Sequence, residues 1–574
     1  MKLINKYIPI TEWLPKYKAS YLKYDIPAGL TIGIMLIPQG IAYALIAGID
    51  PIYGLYTALI PQLIYAVFGT SRQLAVGPVA MDSLIVFAGI SAIAQSDPEL
   101  HLLMAILLAF MMGCIQLLFG VFRLGFMVNF LSKPVISGFT SAAAVIIAFN
   151  QLKHLFGIDI VRSNKIQEII NSFYHLMGDI NYYSFGLGLF SIFFIVFVRQ
   201  KKPTFPVALF IVIISTSLVY FLNLEYTGVE IVKKIPQGLP SFKIPSISYD
   251  NVQDLSSLAL TLAFIAFLEA ISSAKAIEAK KRDHIVRPNQ ELIALGASNI
   301  IGSFFQTYPS TGSFSRSAIN YTAGAKTQMS SITAAIIVAL TLLFLTPLFY
   351  FLPKCVLAAI IIGAVITLID IKYPTQLIKF NKDDFLMLIL TFIITLTIGI
   401  KEGIISGVLI SIIMLIYRST RPHIAECVQI KGTEYFRNKN RFENTEQRDD
   451  ILIFRFDGQL FFANSEYFKE QLNDMILQKG KNLKYIILNS EGINHIDSSA
   501  IYMLENTIEA LKNKGYVFII TGTIGPVRDI IIKSTLIETI GKEMMFTQVK
   551  KAVYYIDNIS DAIDDNNIAL QSNN

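Results

Sequence analysis

Two stretches of the sequence decide the fold: LAVGPVAMDSLIV at residues 74–86 and YPSTGSFSRSAINYTAG at residues 308–324. Each opens a short apolar segment, and each begins with Gly, Pro or Ser where a continuous membrane helix would not. The pattern predicts a half-helix in each stretch. The alternative is a pair of ordinary kinked helices, because neighbouring helices let a membrane span tolerate proline.

The two stretches lie within a chain that is mostly apolar. Of its 574 residues, 53% are hydrophobic and 16% are charged, against about 25% charged in an ordinary soluble domain. Apolar runs long enough to cross a hydrocarbon layer of ~30 Å recur as far as Tyr417. We predict fourteen spans, near residues 27–47, 53–69, 78–94, 102–122, 134–152, 183–198, 206–222, 255–274, 289–305, 313–325, 329–349, 355–370, 384–399 and 402–417.

The broken segments are the third and the tenth spans, which are equivalent places in two halves of seven. This arrangement is typical of an inverted-repeat transporter whose binding site lies at mid-membrane. A helix N-terminus carries roughly half a positive charge and several N–H groups without partners, so two such ends form an anion site. Gly77 allows backbone to approach a ligand, Pro78 suits a first helical turn, and the hydroxyls of Ser313 and Ser315 add donors.

Two charged residues fall within the predicted spans. An arginine inside a span costs about 2.5–3.5 kcal/mol on insertion scales, so Arg316 should face a cavity, an anion or an acidic partner. Glu269, in AFLEAISSAKAIEAKK at 266–281, is the acidic residue set deepest in the eighth span. An anion that competes for Arg316 would let Glu269 take up a proton, which makes proton coupling a hypothesis. The alternative is a permanent Glu269–Arg316 ion pair that only holds spans together.

The distribution of basic residues in the loops predicts the topology. An even number of spans places both termini on one side, and the positive-inside rule makes the more basic side cytoplasmic. That side holds Arg72, Arg123, Arg199, Lys201, Lys202, Lys281, Arg282, Lys372, Lys379 and Arg418. The other holds fewer than half as many, including Arg162, Lys165, Lys233 and Lys234. We expect an extracellular amphipathic helix over residues 166–177.

The last third of the chain has a different composition. Charged residues become dense after Arg418, and from Ile451 apolar strand-length runs alternate with helical segments, which predicts an α/β domain. We therefore expect three regions: a cytoplasmic N-terminal segment over 1–25, a transmembrane domain over 26–420, and a cytoplasmic domain with a C-terminal tail over 421–574.

Several classes of protein are disfavoured. The three cysteines are widely separated and the six histidines are scattered, so we expect no metal site and no cofactor. TGTIGPV at 521–527 lacks the Gly-Lys-Ser/Thr ending of a phosphate loop, and there is no G-x-S-x-G motif, so we expect neither a primary pump nor an enzyme. The net charge of +6 is explained by the cytoplasmic loops, so we expect no nucleic-acid partner.

Two long motifs resemble the SulP family of anion transporters, which includes sulfate permeases. They are AGLTIGIMLIPQGIAYALIAGIDPIYGLYTALIPQLIYAVFGTSRQLAVGPVA at 28–80 and NIIGSFFQTYPSTGSFSRSAINYTAGAKT at 299–327. The resemblance implies a fourteen-span fold of seven plus seven helices, divided into core and gate subdomains. It also implies a homodimer in which the core moves against the gate in an elevator-like step. The expected location is the cell (inner) membrane.

The resemblance also implies the residues of the anion pocket. They are Gln39, Tyr43, Pro78, Val79, Ala80, Ser313, Phe314, Ser315 and Arg316. Glu269 resembles the acidic position of proton-coupled sulfate transporters, so we expect proton-coupled uptake of sulfate or a similar small anion. The alternatives are a sodium-coupled bicarbonate or dicarboxylate transporter and an uncoupled anion channel. A membrane-anchored scaffold ranks last, because it leaves Glu269 and Arg316 unexplained.

The C-terminal domain resembles a STAS domain, through INHIDSSAIYMLENTIEAL at 493–511. In free-standing STAS proteins a serine of the related loop is phosphorylated, which makes Ser498 and Ser499 possible regulatory residues. Asp497 and the two serines lie at a predicted helix start, and N-capping explains them without any switch.

Overall fold

A computed structural model of the chain describes residues 7–94, 97–126, 132–160, 163, 165–201, 207–281 and 284–558. The chain divides into two compact units, Met1–Ser411 and Ile412–Asn574. Three of the basic residues used for the topology, Arg162, Lys202 and Arg282, lie outside the described residues.

The described residues of the apolar part of the chain form fourteen principal helices at the places where the apolar pattern predicted spans. They are α1 Leu22–Ala47, α2 Pro51–Phe68, α3 Ala80–Ala94, α4 Pro98–Val121, α5 Lys133–Asn150, α6 Tyr182–Lys201, α7 Val207–Phe221, α8 Tyr249–Lys281, α9 Pro288–Ser303, α10 Phe314–Thr322, α11 Met329–Leu340, α12 Lys354–Val365, α13 Lys382–Thr397 and α14 Ile400–Thr420. Short helices lie between them at Ile10–Trp13, Leu152–Phe156, Ile166–His175 and Lys372–Phe380. The third of these lies where the amphipathic helix was predicted.

Two helices differ from their predicted extent for local reasons. α8 continues beyond residue 274 through a segment rich in Ala, Lys and Glu, which are good helix formers, and it is described as far as Lys281. α11 ends at Leu340, and the chain then forms a π-helical turn over Thr341–Leu345 and a 3₁₀ turn over Thr346–Phe349. Pro347 lacks a backbone N–H and cannot continue an α-helix, which accounts for the change.

Length and composition support membrane insertion of these helices. Within the described residues, seven helices are long and apolar enough to cross a membrane, and four more are apolar but shorter. The half-helix α3 is one of the shorter ones, and α10 has nine residues. Helices of this length reach only part of the way across a ~30 Å hydrocarbon layer.

The helices pack as two groups. One group contains α1–α4 and α8–α11, in which α9 packs on α4 and α2, and α1 packs on α11. The other contains α5–α7 and α12–α14, in which α13 packs on α5, and α6 packs on α12. α3 and α10 both belong to the first group. The grouping agrees with the core and gate division that the family resemblance implied. Two short strands of the first unit are β1 Val76–Gly77 and β2 Thr311–Gly312.

The second unit is an α/β domain. The strands of the second unit are β3 His423–Ile430, β4 Phe436–Asn438, β5 Thr445–Glu446, β6 Ile451–Asp457, β7 Tyr485–Asn489, β8 Val517–Thr521 and β9 Met545–Phe546. The sheet order is β4-β3-β6-β7-β8-β9, with β5 on β3 and with β6 to β9 parallel. The helices are α15 Ser465–Lys479, α16 Ser498–Asn513, α17 Gly525–Lys533 and α18 Leu536–Ile540. They bury one sheet face, and a helix over 549–558 covers the other.

Candidate functional site

Two short strands meet where the half-helices begin. β1, Val76–Gly77, precedes α3, and β2, Thr311–Gly312, precedes α10. The strands pair antiparallel, with Val76 opposite Gly312 and Gly77 opposite Thr311. Both half-helices therefore start at one strand pair. The two stretches predicted the half-helices but not the strands.

Buried side-chain amides satisfy the backbone around the strand pair. Backbone polar groups that leave a helix inside a membrane need partners from the protein. Asn320 Nδ2 donates to the carbonyl of Gln73 at 3.0 Å. Asn299 Nδ2 donates to the carbonyl of Ser310 at 3.0 Å, and its Oδ1 accepts from the Ser310 N–H at 2.9 Å. Polar residues inside these spans thus hold the non-helical segments in place.

Arg316 is the dominant charge of the site. Its side chain is fully buried, and Nη1 donates to Gln39 Oε1 at 3.2 Å. Nε and Nη2 are buried and have no hydrogen-bond partner. A methyl group on Gly77 would lie 3.6 Å from Nη2, so the guanidinium lies against β1 although it comes from α10. A buried cation with two free donors at two helix N-termini is suited to bind an anion.

The pocket residues implied by the resemblance come from three elements that pack together. Gln39 and Tyr43 lie on α1, Pro78 to Ala80 lie at the start of α3, and Ser313 to Arg316 lie at the start of α10. All are buried except Ser315, which is half-buried, and Phe314, which is 41% exposed. Tyr43 is 4% exposed and interacts electrostatically with Arg316.

The serines at the start of α10 have local roles in the absence of an anion. Ser313 is the N-cap residue, and its Oγ accepts from the backbone N–H of Arg316 at 3.5 Å. Its Oγ also lies 3.3 Å from Ser315 Oγ. Both contacts are long, so an anion at this helix end could take these hydroxyls as donors at little cost.

Glu269 lies on α8, which packs against both α3 and α10. Its Oε2 is buried and has no hydrogen-bond partner. Arg316 Nη1 donates to Gln39, while Arg316 Nε and Nη2 and Glu269 Oε2 have no hydrogen-bond partner, so no described hydrogen bond or ion pair joins the two residues. The direct ion pair that was the structural alternative for Glu269 is therefore absent from this conformation.

Asp82, which was not among the predicted site residues, lies in the first turn of α3. Its side chain is fully buried, and neither carboxylate oxygen has a hydrogen-bond partner. It interacts electrostatically with Glu269 and with Tyr308, whose hydroxyl lies 3.0 Å from Ser83 Oγ. The signal was present, because Asp82 is an acidic residue inside an apolar span, just as Glu269 is.

The candidate regulatory serines lie in the second unit. Asp497 is the N-cap of α16, where its Oδ1 accepts from the Ala500 N–H at 2.8 Å. Ser498 and Ser499 follow it in the first turn, and both are exposed. The N-cap role therefore belongs to Asp497, which leaves the two hydroxyls accessible. The described ranges contain no group of three or more His, Cys, Asp or Glu residues that could hold a metal ion.

Comparison with known proteins identifies the family. The model of the sulfate permease family matches residues 22–391, and that of the STAS domain matches residues 443–552. Sulfate transporter 4.1, chloroplastic, of Arabidopsis thaliana is 37% identical over 96% of this chain and 82% of its own length. Probable sulfate transporter 4.2 of the same plant is 37% identical over 96% and 83%.

A solved structure agrees with these matches. The murine Solute Carrier 26 family member A9 anion transporter, in the inward-facing state, is similar with a TM-score of 0.88 and 25% identity. The similarity covers 97% of this chain and 95% of that one. The chain therefore belongs to the sulfate permease family, and it is a multi-pass membrane transporter of anions with a STAS domain rather than an enzyme.

Proposed function

We propose that the protein is a secondary active transporter that takes up sulfate, or a small anion of similar charge, together with protons. The observation that carries the proposal is Arg316, a fully buried cation with two donors free beside the N-termini of α3 and α10. A site of this kind favours a divalent oxyanion, because several fixed donors and more than one positive charge converge on it. The names of the two plant relatives point to the same substrate.

The proposed pocket consists of the positions that lie around Arg316. Gln39 and Tyr43 line it from α1, and the starts of α3 and α10 supply backbone N–H groups. Ser313 and Ser315 add hydroxyl donors, and Pro78, Val79, Ala80 and Phe314 complete the wall.

Glu269 is the proposed proton acceptor. It lies near Arg316 without pairing with it, and one of its oxygens is buried without a partner. A carboxylate in this setting is more stable with a proton than without one whenever an anion occupies the guanidinium. Proton uptake by Glu269 therefore accompanies anion binding, which couples the two gradients.

The two helix groups suggest the movement. The site lies wholly within the group of α1–α4 and α8–α11, so that group can carry the anion past the other as one body. This elevator-like step uses residues 26–420. The basic loops favour cytoplasmic termini, so the STAS domain over 421–574 would be cytoplasmic. The family resemblance favours the inner membrane of a cell as the location and a homodimer as the assembly. Ser498 and Ser499 remain candidate phosphorylation sites of that domain.

Labelled sulfate uptake into proteoliposomes tests the proposal. The membrane potential is held at zero, and uptake is measured with and without an inward proton gradient. We expect accumulation above the external concentration only with the gradient. Glu269→Gln should still bind sulfate but fail to accumulate it, whereas the control Glu278→Gln, on the same helix and paired with Lys275 at 2.7 Å, should accumulate it normally.

The other outcomes separate the alternatives. Downhill flux that ignores protons would identify an uncoupled channel. Accumulation driven by a sodium gradient alone would identify a sodium symporter. If the protein took up bicarbonate or a dicarboxylate but no sulfate, that anion would be identified as the substrate instead of sulfate. If Glu269→Gln accumulated sulfate under a proton gradient, the role assigned to Glu269 would be wrong.

A further inference from the structure

We propose that Asp82 is a second proton-binding carboxylate of the anion site, so that two protons enter with each divalent anion. This inference rests on the proposed function. Asp82 lies at the start of α3, which follows β1, whereas Arg316 lies at the start of α10, which follows β2. A second proton-binding group would set the ratio of protons to anions at two.

The environment of Asp82 differs from that of the other buried carboxylates. Asp25 and Glu291 are also fully buried in the first unit. Asp25 accepts hydrogen bonds from the N–H groups of Lys326 and Thr327, at 2.6 and 3.1 Å. Such bonds stabilise an ionised carboxylate, so the role of Asp25 is structural.

Glu291 shows the same satisfied arrangement. It accepts hydrogen bonds from the Tyr65 hydroxyl at 2.6 Å and from the Thr70 N–H at 2.8 Å. Asp82 accepts none, although it is equally buried. An ionised carboxylate without donors or water is costly, and a group so placed is neutralised instead. A bound proton on Asp82 removes the cost.

Helix capping does not explain Asp82. An acidic residue in the first turn of a helix is favoured by the helix dipole, and it commonly accepts a hydrogen bond from a free backbone N–H. Asp82 is the third residue of α3, yet both of its oxygens lack such a donor. Its carboxyl group is therefore not used to hold the helix end.

The charged and titratable groups around Asp82 come from each neighbouring element. Asp82 interacts with Glu269 of α8 and with Tyr308 of the segment before β2. Those two groups interact in turn with Arg316 of α10, and Tyr308 also interacts with Tyr43 of α1. α5 packs on α3, and its one charged residue is Lys133, at the first position of the helix. On α4, His101 lies against Phe87 and 2.8 Å from the Ala47 carbonyl, more than one turn from Asp82. Asp82 and Glu269 are thus the two acids of a site with one arginine.

The charge balance requires both acids to be neutral when a divalent anion is bound. Arg316 supplies one positive charge, and the two helix N-termini supply roughly half a charge each, so the site offers about +2. A divalent anion balances this sum only if Asp82 and Glu269 carry protons. After the anion leaves, ionisation of the two carboxyl groups restores the balance. Both protons come from water on the side where the anion enters.

A sodium ion fits the described groups less well. Hard cations take about six oxygen ligands, and no cluster of three or more acidic, His or Cys residues exists in the described ranges. The buried guanidinium of Arg316 would also repel a metal cation placed beside it.

The test measures the number of protons that enter per sulfate. Proteoliposomes contain the full-length protein, an internal pH indicator and labelled sulfate outside. With two protons, the accumulation ratio at zero membrane potential rises about 100-fold per unit of imposed pH difference, and with one it rises about tenfold. Two protons with a divalent anion also move no net charge, so we expect wild-type uptake to be independent of membrane potential.

Asp82→Asn isolates the second proton. We expect its ratio to rise about tenfold per pH unit, and its uptake to increase with an inside-positive potential, because one net negative charge now enters. Asp82→Glu should retain the wild-type ratio. The matched control Asp254→Asn changes an exposed residue of α8 and should also retain it.

The outcomes distinguish this inference from the proposed function. Wild-type uptake without any response to protons would remove the proposed function and this inference with it. Proton-coupled uptake with an unchanged ratio in Asp82→Asn would refute only the role of Asp82. If that variant does not fold, the wild-type protein still decides, because one proton per sulfate in the pH-indicator assay would overturn the proposal.

Discussion

Replacing Arg316 by alanine is the sharpest test of the anion site. The guanidinium has two donors, Nε and Nη2, without partners, and a bound anion would receive hydrogen bonds from both. A hydrogen bond to a charged group contributes about 1.5–3 kcal/mol, so losing two costs at least about 3 kcal/mol. Since about 1.4 kcal/mol changes a dissociation constant tenfold, we expect Arg316→Ala to bind sulfate at least about 100-fold more weakly.

Two further variants make the test specific. Arg316→Lys keeps the charge but loses the planar fork, so we expect affinity to fall about tenfold, as for one lost hydrogen bond. Lys275→Ala removes a half-exposed cation that pairs with Glu278 on α8, and it should bind as the wild type does. Equilibrium binding of labelled sulfate to the purified protein measures all three.

Thermal unfolding distinguishes a loss of sulfate binding from a folding defect. Without sulfate we expect the Tm of Arg316→Ala to change little, because the lost hydrogen bond to Gln39 is offset by removal of a buried charge. Saturating sulfate should raise the Tm of the wild type and not that of the variant. A folded Arg316→Ala protein that binds sulfate within threefold of the wild type would refute the assignment of the site.

Three other substitutions probe the structure. Gly54→Ala should lower the Tm and the yield of folded protein, because the added carbon would lie 2.0 Å from the Gly40 carbonyl oxygen. We expect the free energy of unfolding to fall by about 3 kcal/mol or more, and a normal Tm would contradict this packing of α1 on α2. The pKa of Glu230 is lowered to about 2, chiefly by the neighbouring imidazole of His154, whose Nδ1 lies 3.8 Å from Glu230 Oε2. This group therefore contributes stability above pH about 4.5 that is lost as the pH falls towards about 2. Glu230→Gln should be less stable at neutral pH and should lack that acid-dependent loss, and parallel curves of Tm against pH for the two proteins would disprove the effect. Asp497→Ala should destabilise the STAS domain by about 1 kcal/mol, whereas Ser498→Ala or Ser499→Ala should destabilise it by under about 0.5 kcal/mol. Denaturant unfolding of the full chain measures these changes, and equal changes would contradict the assignment of Asp497 as the N-cap.

The sequence predicted the features that depend on local chemistry. Proline and glycine restrict the backbone wherever they occur, so the two broken helices could be located from GPV and STGS alone. The spans followed from apolar length, and the sheet of the C-terminal domain followed from alternation. The end of α11 at Leu340 and the π-helical turn after it were not predicted, because the apolar run was expected to form one span over 329–349.

The features that were missed depend on distant neighbours. Asp82 is distinctive because no donor reaches it, and the absence of a donor is a property of the packed helices rather than of the residues next to it. The lack of a direct Glu269–Arg316 contact likewise depends on how α8 and α10 pack. Periodicity placed both residues inside spans but could not give the distance between their side chains.

The strand pair has a consequence for how the protein is made. Val76 pairs with Gly312, so the ribosome must add about 236 residues after β1 before its partner exists. At roughly 5–20 residues per second, this takes about 12–47 s. Through that interval the start of α3 carries backbone groups that lipid cannot satisfy. The nascent first half must therefore be sheltered by the insertion machinery, and chains halted before residue 311 should remain bound to it and sensitive to protease.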